Sequence, residues 1–168
     1  LLVVLIGKKD LCQYYEKQKT RLTKGKVLFV ILMLLLFSYG ASRGYMHWDS
    51  GLYHAQAIRW IEEYGVVPGL ANLHCRLAYN SSAFVLTALY SMSFLGGQSL
   101  HTVSGFMALI LAIKGLDVTK IFSRKKVQVS DFVKVAMLFY ISIIYTEMMS
   151  PASDYFAMLF LFYIVVTW

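Results

Sequence analysis

The chain has 168 residues, 58% of them hydrophobic and 15% aromatic, with a mean hydropathy of +0.60. A soluble domain is about half apolar even with glycine counted, so this reads as an integral membrane protein. The net charge of +7 comes from basic residues that adjoin apolar runs, which fits anionic lipid headgroups and argues against a nucleic-acid partner.

The chain begins without Met on the apolar stub LLVVLI and is still apolar at Trp168, as expected of a segment cut from a longer multi-pass chain. Residues 8–26 form a basic connector holding Lys8, Lys9, Lys17, Lys19, Arg21, Lys24 and Lys26, placed on the cytoplasmic side by the positive-inside rule. Residues 27–41 then cross outward. The run is short of the ~20 residues a span needs, and Lys24 and Lys26 can snorkel at its inner end. Residues 42–99 are an extracytoplasmic loop with two surface helices.

The first surface helix is expected near 50–64. Tyr53, Ala57, Trp60, Ile61 and Tyr64 recur at helical spacing, and His54, Gln56, Arg59, Glu62 and Glu63 fill the other side. Asp49 and Ser50 stand where an N-cap belongs, Gly65 ends the pattern and Pro68-Gly69 turns the chain. Such an amphipathic helix lies along a lipid boundary. The second helix is expected at 82–95, before a turn at Gly96-Gly97.

Residues 100–121 are taken as a single inward crossing, because two crossings here would put Lys120, Arg124, Lys125 and Lys126 outside. A basic cytoplasmic loop follows at 122–130, then an outward span at 131–149. The turn 150–154 lies on the same face as Asp49, and 155–168 starts another span. Cys12 and Cys75 fall on opposite sides of the membrane in this topology, so no disulfide is expected. Lys114 and Asp117 are placed to pair near the inner end of their span.

Nucleotide-loop and zincin chemistry have no support, since no GxGxxG, GxxxxGK[ST], CxxC pair or HExxH occurs. Asn80-Ser81-Ser82 matches a glycosylation sequon, which matters only in a eukaryotic source. The chemistry is concentrated in 45–80, with Asp49, Glu62, Glu63, Arg59, Arg76, His47, His54 and His74.

The order of parts, an outward span, an early loop acid, the run DSGLYHAQAIRWIEEYGVVPGLANLHCRLAYNSS, an inward span ending in basic residues and a second acid heading a later helix, resembles the N-terminal part of the GT-C superfamily of multi-pass glycosyltransferases. Within it, that run resembles uncharacterised bacterial membrane proteins of surface polysaccharide assembly. The resemblance implies an all-α polytopic transmembrane bundle in a bacterial inner membrane, whose extracytoplasmic loop bears interfacial amphipathic helices. It also implies a polyprenyl-phosphate sugar as donor, Asp49 as the first-loop catalytic acid, Asp154 as the second acidic position, and acid function as a base or as ligand of a divalent cation. Asn80-Ser81-Ser82 departs from the family's aromatic or proline-rich start to the second surface helix, and the acceptor type is open on that account.

On the residues themselves, transfer of a sugar from a lipid phosphate needs a carboxylate near the attacking hydroxyl and cations for the leaving phosphate. Asp49 fits the first need, and Arg59 or Arg76 the second. His54, His74, Glu62 and Glu63 are candidate substrate contacts, and Asp49, Asp154 and His47 candidate metal ligands. Each has a structural rival. Asp49 can be an N-cap, Asp154 a helix-dipole acid behind Ser150-Pro151, Glu62 and Glu63 a solvated face, and the arginines lipid contacts. A transporter or polysaccharide-assembly partner on the same scaffold is the alternative function.

Overall fold

The structure is a computed structural model that describes residues 24–43, 47–95, 99–124 and 126–168. The connector before Lys24, with Cys12, the Gly96-Gly97 turn and Lys125 all lie outside the described residues. Among the described residues six α-helices follow in order: α1 (Lys24–Arg43), α2 (Ala55–Tyr64), α3 (Ser82–Leu89), α4 (Val103–Gly115), α5 (Val129–Ile143) and α6 (Ser153–Thr167). Among the described residues there is no strand, so the fold is all-α.

Several boundaries differ from expectation for local reasons. A wide π-helical turn, Ser50–His54, precedes α2, so the helix expected near 50–64 is two pieces. Gly65, at φ +69°, ends α2 in a conformation that a side chain disfavours. Ser81 Oγ accepts from the Ala83 N–H at 3.3 Å and caps α3, but the helix stops at Leu89 instead of residue 95, and Met92 adopts φ +55° just beyond it. Nor does Ser150-Pro151 cap α6; the capping position is Ala152. At the start of α5 the fully buried Asp131 accepts from the Gln128 N–H at 3.0 Å and from Arg124 at 3.1 Å, so that carboxylate is paired and hydrogen-bonded.

The core joins Phe37 of α1, Leu111 of α4, Met137 and Ile141 of α5 and Leu159 of α6. Tyr145 donates to the Leu36 carbonyl at 2.5 Å, which sets the C-terminal half of α1 beside the end of α5. Lys114, near the end of α4, meets Thr167 at the end of α6. Helices α1 and α5 therefore run toward one end of the bundle, and α4 and α6 run away from it. Lys24, Lys26, Lys114, Lys120 and Arg124 sit at the far end, and Asp49 and Asp154 at the near end. The loop helix α2 packs on α3 through Ala57, Ile58 and Phe84.

Among the described residues one helical stretch, Val129–Glu147, is long and apolar enough to cross a membrane, with mean hydropathy 1.5 and 22% of its apolar window buried. Ser153–Thr167 is apolar but shorter, so the four crossings expected from the sequence are not reached by length and composition. Helix α4 falls short because its regular geometry tightens into 3₁₀ turns at Leu116–Ser123, where Asp117 pairs with Lys120 at 2.6 Å. Lys114 instead donates to Thr167 Oγ1 at 2.8 Å, which replaces the expected Lys114–Asp117 pair.

Candidate functional site

The segment after α1 brings Trp48 and Asp49 to the near end, and the Asp49 side chain caps no helix there. Gly69, at φ +85°, turns the chain so that the short 3₁₀ helices Leu70–Asn72 and Cys75–Ala78 return Arg76 over this segment. Arg76 Nη1 donates to Asp49 Oδ1. The guanidinium carbon lies 5.5 Å from the Trp48 ring centre and 5.4 Å from that of Tyr53. The charge pair is half-buried between two aromatic faces, where both ion pairing and cation–π attraction are stronger than in open water. Two candidates placed 27 residues apart in sequence thus form one unit.

His47 Nδ1 accepts from the Asp49 N–H at 3.3 Å and stands 3.9 Å from Asp49 Oδ2. His74 Nδ1 accepts from the Arg76 N–H at 3.2 Å, capping the turn that carries Arg76. These two histidines position the pair through its backbone.

Helical spacing predicts His54 on the polar side of the first surface helix, but the structure buries it. The π turn rotates it inward until it is 4% exposed, with its ring 4.1 Å from Tyr53 and 5.3 Å from Phe84, centre to centre. Burial pushes its pKa below the ordinary histidine value, outweighing the opposing pull of Asp49. Its Nδ1 lies 3.3 Å from Ser50 Oγ, which is 2.5 Å from Ser150 Oγ, and both serines are fully buried. This chain fastens the Asp49 segment to the turn before α6.

Asp154 occupies the first turn of α6 and is exposed. The negative charges of Asp49 and, more weakly, of Asp154 both favour the protonated forms of Tyr53 and His54. Burial, then Asp49, pushes the Tyr53 hydroxyl pKa up. Glu147, which sequence reasoning passed over, accepts from Tyr155 Oη beside Asp154. An acid inside an apolar run was the signal for it.

Other candidates lie apart from Asp49. Arg59 Nε donates to the Glu63 carboxylate at 2.7 Å one turn along α2, and both are on the exposed side. Glu62, expected on a solvated face, instead turns in and accepts from Ser99 Oγ at 2.6 Å, with Oε1 buried and unpartnered. The apolar face of α2 is also shifted: Ala57 and Ile58 are buried, and Trp60 packs at a tilt against the exposed Tyr64, ring centres 5.0 Å apart. Cys75 is a free, exposed thiol.

Among the described residues no three His, Cys, Asp or Glu side chains gather as a cation would require. Asp49 Oδ1 is taken by Arg76, and His47 Nδ1 stands 3.9 Å from the other oxygen.

Fold and site together define an all-α protein in which a carboxylate–guanidinium pair is held between aromatic rings at one end of a helical bundle. The chain belongs to the family described as Domain of unknown function (DUF8201), whose model matches residues 1–168. No curated protein matches the chain, and no solved structure does.

Proposed function

We propose that the chain is part of a membrane glycosyltransferase that moves a sugar from a polyprenyl-phosphate donor to a surface glycan or lipid acceptor at the bundle end carrying Asp49 and Asp154. The observation that carries this reading is the Asp49–Arg76 pair, with a second acid, Asp154, acting on the same residues. In the proposed step, the acceptor hydroxyl oxygen bonds to the anomeric carbon and its proton passes to Asp49. The bond from that carbon to the phosphate oxygen breaks, and the phosphate leaves with the electron pair. Arg76 spends one donor on Asp49 and has others for the phosphate, which a planar guanidinium binds in pairs.

Membrane placement draws support from the outer faces. Leu28, Ile31, Leu32 and Leu35 of α1, Phe132 and Phe139 of α5 and Leu161 and Val165 of α6 are all exposed, and exposed apolar faces of this kind suit a membrane or partner contact. The basic residues at the opposite end from Asp49 suit a cytoplasmic face, which supports a reading in which Asp49 works on the extracytoplasmic side.

The test is the lipid-linked sugar and surface polymer profile of cells whose only full-length copy carries Asp49→Asn. The expected outcome is lost product at normal membrane abundance. An unchanged profile would overturn Asp49 as the base and favour a binding or transport role.

A further inference from the structure

An open apolar groove of about 980 Å³ runs along α4 between α1 and α6. Leu34 and Phe37, Phe106 and Ile110, and Phe156 and Phe160 form its walls, and among the described residues Lys114 is the one charged side chain lining it. From Thr102 to Lys114 the groove follows α4 for roughly 18 Å at 1.5 Å per residue. One leaflet's hydrocarbon, half of a ~30 Å core, is about the same length.

Among the described residues, the charge at the end of this groove has no anionic partner. Lys114 Nζ donates to the Thr167 hydroxyl and lies 4.6 Å from the centre of the Tyr163 ring, both neutral groups. Its basic neighbours are occupied otherwise, Lys120 by Asp117 and Arg124 by Asp131. A hydroxyl and an aromatic face orient the ammonium without neutralising it, so an arriving phosphate keeps both contacts and adds the missing charge.

We propose that this groove holds an acyl chain of an anionic phospholipid, with the headgroup phosphate at Lys114. The site lies at the opposite end of α4 from Arg76, so it is distinct from the place proposed for the donor phosphate. It rests on the membrane placement proposed above and not on the transferase chemistry. An anionic lipid here bridges α4 and α6 at the basic end and fills a groove that protein leaves open.

The full-length protein, purified in detergent, is offered phosphatidylglycerol and phosphatidylcholine of identical chains, and bound lipid is read by native mass spectrometry. The expected preference for phosphatidylglycerol is about fivefold, the contribution of one basic residue near an anionic lipid. Lys114→Gln should remove the preference and Lys114→Arg keep it, the second variant separating loss of charge from loss of fold. Ser38→Trp, which fills the groove from the exposed side of α1, should reduce binding of both lipids. Equal binding of the two lipids by the native protein, or a preference that survives Lys114→Gln, would overturn the headgroup assignment. Unchanged binding in Ser38→Trp would overturn the groove. Recovery of the native chain without detergent would sink the membrane placement and this proposal together, whereas a normal sugar profile in Asp49→Asn sinks only the transferase reading.

Discussion

Ser50 Oγ lies 2.5 Å from Ser150 Oγ, with both side chains fully buried, and this bond joins the segment of Asp49 to the turn that leads into the helix of Asp154. The two residues are separated by 100 positions. The spacing of the two acids therefore depends on a contact that neither acid makes.

Ser50→Ala leaves the buried Ser150 hydroxyl without the partner it has here, at about 1–3 kcal/mol, whereas Ser150→Ala leaves Ser50 its contact with His54. Ser50→Ala and Ser150→Ala should each lower the thermal midpoint in detergent. The double variant should cost less than the sum, because the second substitution removes the orphan left by the first. Additive losses in a double-mutant cycle would show that the two hydroxyls act independently.

Arg76→Lys keeps the charge but loses the flat guanidinium that lies between Trp48 and Tyr53. Substrate turnover in the full-length protein should fall by tenfold or more, about 1.4 kcal/mol or above, with little change in stability. Native turnover by Arg76→Lys would reduce Arg76 to a point charge.

His54 has a pKa depressed by burial, so its neutral form is favoured in the folded protein. The unfolded chain binds the extra proton first, and stability present above about pH 6.5 is lost as pH falls through the unfolded value toward the folded one. Unfolding midpoints measured from pH 8 to pH 5 should decline below about 6.5, and His54→Phe should show a shallower decline. Parallel curves for the two proteins would assign the decline to other groups.

Gly40 is packed so closely on Tyr145 that an added Cβ would lie 2.5 Å from its Cζ and 2.8 Å from its Oη. That ring is held by its bond to the Leu36 carbonyl. Gly40→Ala should destabilise by about 1–3 kcal/mol through overpacking, and Gly40→Ala with Tyr145→Ala should recover part of it. A stable Gly40→Ala protein would mean that the ring moves freely.

Much of the helical pattern was legible because hydrophobic runs and breakers are local signals. The apolar stretches of α1, α5 and α6 and the stop at Gly65 all follow from neighbours in sequence. Periodicity placed Ala57 and Ile61 on the inner side of α2 but missed Ile58, and it missed His54 by treating the first turn as regular α-helix. A π turn shifts every residue before it around the axis, and no composition rule announces one.

The sequence by itself determined that this chain is helical, that its basic residues flank apolar runs and that its reactive side chains crowd one loop. Only the tertiary structure decided which of those side chains meet: Arg76 with Asp49, Ser50 with Ser150, Lys114 with Thr167 and Glu62 with Ser99. The reason is physical. Helix formation is governed by residues within a turn or two of each other, while these pairings join positions 27 to 100 residues apart and form when the helices have packed.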